Sequence, residues 1–382
     1  MGGLQRYATE LAAVISQHGI GVSVSTRTWS KGGKDKLVSN LPGVRVRTVL
    51  SFVPKKLRGG LLTMLSLAGI PLYLLGSSPV RIVHTSILGN LYLSRSSGAV
   101  QVYVFHASPS LELKAQIKDI NKTAAGTQLR IAVLRRLEES CLRKADAVVV
   151  LSKFSQRVLL QEYPWLSKDK IEIIPGGSKT SGIGATPRHA FQSKRLIAVR
   201  RLEWRTGIDL LIRAFALSNL TEKGWTLDIV GTGSLRAELE GLAEGLGVSD
   251  NVTFHGVVSE DEKHTLLSES QMFVLPTRAF EGFGLATVEA MAHGLVPIAT
   301  SAGASPEIVE QIHPKLVCDP TVSGLVSALE YWTKDENQDL MAALSARAID
   351  VAVSYDWEEV AKRYRDLADA IAAEKGPRRM FV

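Results

Sequence analysis

Two glutamates, Glu281 and Glu289, lie in the stretch EGFGLATVEAMAHG, residues 281–294. Gly-Phe-Gly follows the first, and the second sits two turns into an alanine-rich run of helical composition. Glycines at 282 and 284 let the backbone approach a ligand closely. They also expose N–H groups at the start of a helix, where the aligned peptide dipoles favour an anion. A carboxylate would repel that anion, so Glu289 is expected to face a neutral part of the ligand and accept hydrogen bonds from a diol. No Asp-x-Asp occurs in the chain, and no group of His, Cys and carboxylates has metal-ligand spacing. Any phosphate handled here is therefore expected to be neutralised by Arg, Lys and backbone N–H groups, with no metal and no cofactor.

His106 closes the apolar run VQVYVFH and opens HASPSLE. A histidine leaving a buried strand at the carboxyl edge of a parallel sheet stands where ligands bind in such folds. His84 also ends an apolar run and reads as structural. Gly231 and Gly233 join a strand to a helix, but a dinucleotide fingerprint would need a third glycine where Arg236 stands. That departure argues against a dinucleotide oxidoreductase.

Positioning these residues requires a regular alternation of elements. Strands are expected at 21–25, 80–85, 100–106 and 147–151, with helices at 7–18 and 129–143. After 171–175 comes GGSKTSGIG, the best linker in the chain. The pattern then restarts with strands at 195–199, 226–230, 252–254, 272–275 and 296–300, separated by helices near 207–217, 234–246, 261–268 and 285–293. Alternation of this kind predicts parallel sheets covered by helices, arranged as two Rossmann-like domains. Residues 355–373 place Trp357, Val360, Tyr364, Leu367 and Ile371 at helical spacing, as a closing helix.

The chain has 382 residues, too long for one ordinary core, and its 45% hydrophobic and 22% charged composition is that of a globular protein. Cys141 and Cys318 lack partner spacing and read as buried free thiols in a reducing compartment. No secretory leader is legible at the start. A net charge of +7 suits an acidic partner, and no nucleic-acid module is present. The apolar run 61–76 is shorter than the ~20 residues of a spanning helix and is broken by Pro71. It follows Lys55, Lys56 and Arg58, so it reads either as a core-packed helix or as a helix resting on anionic lipid.

The pair Glu281 and Glu289 within EGFGLATVEAMAHG resembles the glutamate pair of retaining glycosyltransferases of the GT-B fold, in particular family 4. The likeness runs through the chain in order: GGLQRYATELAAVISQHG (2–19), VVVLSKFSQRVL (148–159), IEIIPGG (171–177), VRRLEWRTGIDLLIRAF (199–215) and LDIVGTGSLRAELE (227–240). It implies an α/β protein of two Rossmann-like domains facing across a cleft. These would be an acceptor-side domain at 1–176, a linker at 177–193, a nucleotide-sugar-binding domain at 194–354, and a closing segment at 355–382 that crosses back to the first domain. Family members begin with a strand that leads into the glycine loop. Here Met1 precedes Gly2 and Gly3 directly, so the first domain is expected to lack that strand, to be destabilised and to be weakly active.

The resemblance also implies roles. Arg201 matches the arginine that binds the donor diphosphate. The family often has a lysine five residues on; here that position is Thr206, and the neighbouring Arg205 is expected to supply the charge. As an alternative, Arg200, Arg201 and Arg205 form only a solvated basic face. His106 matches a histidine facing the transferred sugar. Gly2 and Gly3 match the loop that approaches the donor phosphates, and Gly231 and Gly233 the turn beneath the nucleotide. Gly282, Phe283, Gly284 and Leu285 would offer backbone N–H groups, Glu281 would act at the sugar, and Glu289 would bind the ribose.

The implied reaction moves a sugar from a UDP- or GDP-sugar to a glycan or lipid-linked hydroxyl, with retention of configuration and no metal. It is expected in polysaccharide or glycolipid synthesis, in the cytoplasm and peripherally at the inner face of the membrane. Acceptor loops at 29–54 and 108–126 carry no readable code. A sugar-nucleotide epimerase and a non-catalytic nucleotide-sugar-binding protein stay open as alternatives.

Overall fold

Short β-branched runs become parallel strands throughout the computed structural model, which describes residues 3–18, 22–26, 44–48, 80–84, 93, 98–106, 125–180 and 193–376. The chain divides into two units. Unit 1 comprises Met1–Pro175 and Trp357–Val382, and unit 2 comprises Gly176–Asp356.

Unit 1 contains α1 (Gly3–Gln17), β1 (Val22–Thr26), β2 (Val44–Thr48), β3 (Val80–Val83), β4 (Val100–Phe105), α2 (Ala125–Lys144), β5 (Ala147–Val150), α3 (Lys153–Glu162) and β6 (Ile171–Ile173). Strands β1 and β2 pair with each other, and β3-β4-β5-β6 form a four-stranded sheet, all parallel. Every residue of β4 and β5 is buried, as expected when helices cover both faces of a parallel sheet. Ser152 caps α3 by accepting from the Ser155 amide at 3.0 Å.

Unit 2 continues with β7 (Arg195–Val199), α4 (Ile208–Leu217), β8 (Thr226–Val230), α5 (Arg236–Gly245), β9 (Val252–Gly256), α6 (Glu260–Glu269), β10 (Met272–Leu275), α7 (Leu285–Ala292), β11 (Val296–Thr300), α8 (Ser305–Val309), β12 (Val317–Cys318), α9 (Val322–Trp332) and α10 (Gln338–Val353). Its sheet runs β12-β11-β10-β7-β8-β9, all parallel. The chain lays β7, β8 and β9 outward, then returns to place β10 on the other side of β7. The order reverses between β7 and β10, and loops leaving the two strands there diverge to opposite sides. Ligands of doubly wound sheets bind at that crevice. Helix α6 is fixed by a capping box between Ser259 and Glu262.

The closing helix α11 (Trp357–Lys375) belongs to unit 1. Its Tyr364 hydroxyl meets that of Tyr7 at 3.0 Å, and Trp357 lies edge-on to the Tyr7 ring at 5.1 Å. Where the chain leaves and re-enters unit 1, the two ends of unit 2 lie side by side. The Ser178 amide donates to the Tyr355 carbonyl at 2.8 Å, and Ser178 bridges Asp356. Tyr7 Oη is 3.4 Å from the Pro175 carbonyl, just before this crossing.

Several expectations change here. Gly3, expected in a glycine loop, is the first residue of α1. Gly2, the basic cluster Lys55, Lys56 and Arg58, the run 61–76 and linker residues 181–192 lie outside the described residues. Cys141 is buried, whereas Cys318 is only partly buried, and both are thiols outside any disulfide. No helix among the described residues is long and apolar enough to cross a membrane.

Candidate functional site

The reversal between β7 and β10 gathers most of the residues singled out by chemistry. Strand β7 delivers Arg200 and Arg201 at its carboxyl end. The chain then tightens into a turn closed by Thr206, whose hydroxyl lies 2.7 Å from the carbonyls of both Arg201 and Glu203. Thr206 is buried, so its side chain serves the turn and not a ligand. Gly207 follows at φ 72, where an added Cβ would stand 1.8 Å from the Pro276 carbonyl oxygen. Only a glycine lets the two loops approach this closely. The Arg278 amide donates to the Arg205 carbonyl at 2.9 Å, and Arg205 Nη1 donates to the Phe280 carbonyl at 3.2 Å. Arg278 in turn forks onto Asp209, with Nη2 at 2.6 Å and Nη1 at 2.8 Å from the two oxygens.

Strand β10 delivers the other wall. Phe280 holds a left-handed backbone at φ 56, uncommon for an aromatic residue and costly unless its surroundings impose it. Glu281 follows, and its carboxylate meets Arg200 at 2.8 Å, with side chains 18% and 7% exposed respectively. The Glu281 carbonyl accepts the Ala304 amide at 2.8 Å, and a Cβ at Gly303 would strike that carbonyl oxygen at 2.6 Å. Burial pulls the Arg200 guanidinium below its ordinary range. Glu281 opposes that shift, while Arg205 and Arg201 add to it.

Gly284, left-handed at φ 96, opens the eight-residue helix α7, and the Thr287 amide donates back to its carbonyl at 2.9 Å. Beside these loops the Thr277, Thr287 and Ser305 hydroxyl oxygens are buried without a hydrogen-bond partner among the described residues. Buried hydroxyls of native proteins are nearly always bonded, so these three mark polar groups left unsatisfied in the packing beside the site. No group of three His, Cys, Asp or Glu side chains able to hold a metal occurs among the described residues.

Four expected binders are also built into the packing of unit 2. Phe283 is 4% exposed, packed edge-on to Tyr355 at 5.5 Å and against Gly176, where an added Cβ would meet its ring at 2.7 Å. Its side chain is a packing anchor, which leaves only its backbone for a ligand. Glu289 is buried and its carboxylate meets Lys263 of α6 at 2.9 Å, with both side chains 6% exposed. A carboxylate on the inward face of α7 needs a cation beside it, and Lys263 supplies it. Gly231 and Gly233 serve the fold directly. A Cβ at Gly231 would stand 1.8 Å from the Arg200 carbonyl oxygen, and one at Gly233 2.2 Å from that of Leu202. Their bareness lets the loop after β8 lie on the loop that carries the arginines.

His106 belongs to unit 1. It ends β4 beside His84, which ends β3, and Nε2 of His106 lies 3.0 Å from Nδ1 of His84. Tyr7 sets its ring edge against His106 at 5.0 Å. Desolvation lowers the His84 pKa to about 4 and holds His106 well below its ordinary value, helped by repulsion from His84. The two rings are therefore neutral, and one donates to the other. His84 is thus a partner of His106, and the only hint in the sequence was that both end neighbouring strands.

Sequence reasoning missed Arg200 and Lys263 as distinct residues. Arg200 was folded into a basic run with Arg201, and Lys263 sits in the charged string SEDEKH, where nothing shows which charge turns inward.

The model of the glycosyl transferases group 1 matches residues 187–350, and that of glycosyltransferase family 4 matches residues 1–181. The chain belongs to the group 1, family 4 glycosyltransferases. Among related glycosyltransferases is the GDP-mannose-dependent alpha-(1-6)-phosphatidylinositol monomannoside mannosyltransferase of Mycobacterium tuberculosis, 26% identical over 62% of this chain and 63% of that one. Another is the GDP-mannose:cellobiosyl-diphosphopolyprenol alpha-mannosyltransferase of Komagataeibacter xylinus, 30% identical over 48% of this chain and 47% of that protein. This chain thus spans less than two thirds of the length of each of these relatives. Sucrose-phosphate synthase from Thermosynechococcus elongatus shares the fold with TM-score 0.75 at 21% identity, covering 98% of this chain and 94% of that one. So does Anabaena HepE solved with UDP and glucose, with TM-score 0.71 at 18% identity over 97% and 96% of the two chains. The GT-B class of these glycosyltransferases is therefore the fold class of the chain.

Proposed function

We propose that this chain is a retaining, metal-independent glycosyltransferase. It moves a sugar from a nucleoside-diphosphate sugar to a hydroxyl of a glycan or lipid-linked acceptor, in polysaccharide or glycolipid synthesis. The observation that carries the reading is the Arg200–Glu281 pair where β7 and β10 diverge, with Arg201 and Arg205 close enough to repel the Arg200 guanidinium. Two further guanidiniums act on the one paired with that carboxylate, so the local balance is positive and suits a diphosphate. In the transition state the anomeric carbon gains oxocarbenium character while negative charge grows on the departing diphosphate. Arg201 and the amide dipoles at the start of α7 stabilise that charge in place of a metal. Glu281 acts near the sugar. Glu289, held by Lys263, accepts from the ribose hydroxyls, and His106 faces the transferred sugar as a neutral group. The relatives named for GDP-mannose, for a phosphatidylinositol mannoside and for a cellobiosyl-diphosphopolyprenol are in keeping with this donor and acceptor class. Peripheral work at an anionic membrane surface belongs to the same proposal.

The test is a panel of UDP-, GDP- and ADP-sugars with and without lipid-linked acceptors, read as release of nucleoside diphosphate. Acceptor-dependent release with one donor is the expected result. Arg201→Ala should then lower kcat more than it weakens donor binding, because charge on the leaving group is largest in the transition state. Failure of every donor to bind or react removes the proposal.

A further inference from the structure

Arg200 is nine-tenths buried, and Glu281 is the acceptor found for its guanidinium among the described residues, at 2.8 Å. A guanidinium presents five N–H donors in a planar fork, and one carboxylate oxygen fills a small part of that capacity. Burying a cation so incompletely bonded is costly, and Arg201 and Arg205 raise the cost by repulsion. The neighbouring arrangements are already satisfied. Arg278 is matched by Asp209, the Thr206 hydroxyl closes its own turn, and Arg205 Nη1 holds the Phe280 carbonyl. The buried donor capacity left unfilled is therefore that of Arg200, whose partner Glu281 precedes α7.

We infer that Arg200 is the second diphosphate-binding cation of this site, and that Glu281 is its counter-ion until the diphosphate takes its place. The inference rests on the donor reading above and moves the role expected of Arg205 to a different side chain. Thr206 cannot perform it, because its short hydroxyl is bonded inward. Arg205 is turned to the backbone of the Phe280 turn, where it braces the loop that presents Glu281. Carboxylate and diphosphate then compete for one guanidinium. Donor binding exchanges one anionic partner of Arg200 for another and turns the Glu281 carboxylate over to the sugar.

The experiment titrates UDP, GDP and ADP into the full chain by calorimetry. It uses wild type, Arg200→Met, Arg200→Lys, Glu281→Gln and the double variant Arg200→Met with Glu281→Gln. Arg200→Met should weaken the nucleotide that wild type binds by about tenfold to a hundredfold, the span of a charged hydrogen bond. Arg200→Lys should fall between, keeping the charge but losing the fork. Glu281→Gln should bind that nucleotide several-fold more tightly while its turnover with the matching donor falls. In the Arg200→Met background, Glu281→Gln should no longer change affinity. Should Arg200→Met not fold by circular dichroism, Arg200→Lys and Glu281→Gln decide. Arg200→Lys with wild-type affinity, or Glu281→Gln with unchanged or weaker affinity, overturns the inference. If wild type binds one of the nucleotides and folded Arg200→Met binds it equally well, only the role of Arg200 is lost. If wild type binds none of the three, the donor reading fails and the inference falls with it.

Discussion

Units 1 and 2 each bring polar side chains to the carboxyl ends of two adjacent parallel strands, and they settle the electrostatics in opposite ways. In unit 1, β3 and β4 end in His84 and His106, two neutral rings sharing a hydrogen bond under the edge of Tyr7. In unit 2, β7 and β10 lead into Arg200 and Glu281, an ion pair with further positive charge around it. The same contrast recurs deeper in each unit. Glu138 of α2, fully buried, accepts from the hydroxyls of Tyr163 at 2.8 Å and Tyr103 at 3.4 Å, whereas buried Glu289 meets the Lys263 ammonium. Neutral donors and aromatic edges suit uncharged hydroxyl-bearing groups. Excess guanidinium suits an anion. The proposed division between sugar-facing and phosphate-facing residues follows that contrast.

The sharpest way to break the contrast is Lys263→Met. It removes the cation that faces the buried Glu289 carboxylate and should cost about 3–5 kcal/mol in urea unfolding, as loss of one partner of a buried pair does. Adding Glu289→Gln to that variant should recover a large part of the loss. A cost below about 1 kcal/mol would show that ionic pairing is not what unit 2 relies on at this position.

Acid tests unit 1. Because His84 and His106 have folded pKa values below the unfolded value of 6.5, the unfolded state binds more protons between pH 6.5 and about 4. Stability should therefore be full above pH 6.5 and fall as pH drops through that window, by up to about 3 kcal/mol for His84. Melting temperatures across the window should fall less steeply for His84→Gln. An equal slope would show that the histidine pair does not carry the acid response.

Tyr7→Phe is a smaller change. It removes the hydroxyl shared with Tyr364 and the Pro175 carbonyl and leaves the Tyr364 oxygen short of a partner. Unfolding should become easier by about 1–3 kcal/mol, with no change in the pH window if the histidines act independently of the tyrosine pair. The smallest effect is expected from Arg363→Ala on α11, whose partner Glu359 lies one turn away at 3.4 Å with both side chains well exposed. Melting should shift by no more than the equivalent of about 0.5 kcal/mol. A larger loss would mean that exposed charge also matters in unit 1.

The strands at 195–199, 226–230, 272–275 and 296–300 were legible to the residue, because short, mostly apolar runs bounded by turn residues are the signature of doubly covered strands. The closing helix was legible from its apolar spacing. The sequence pattern did not disclose β2, whose alternating VRVRT run lies between segments without periodicity, nor α8, α9 and α10, where alanine and serine blur the apolar stripe. At the site, the glycine turn and the glutamate pair stood out because their spacing is local. The partners of those glutamates did not. Arg200 is 81 positions before Glu281 and Lys263 is 26 before Glu289, and only the β7–β10 reversal and the packing of α6 on α7 bring them together. Gly231 also has a structural role that the sequence did not show, since a Cβ there would strike the Arg200 carbonyl.

The chain departs from unit 1 after Pro175 and returns at Trp357, and the two ends of the intervening segment are bonded to each other through Ser178, Tyr355 and Asp356. Topologically, unit 2 is an insert spliced into an interrupted host. The host is made of two separate stretches of gene, so neither a C-terminal deletion nor a simple half-length clone reproduces it. The insert is one uninterrupted reading frame with adjoining ends, the arrangement that tolerates excision and transplantation. Unit 2 should therefore be exchangeable between chains of this architecture as a cassette bounded at 176 and 356. A cut placed anywhere before α11 instead deprives Tyr7 of the hydroxyl and the indole that cover it.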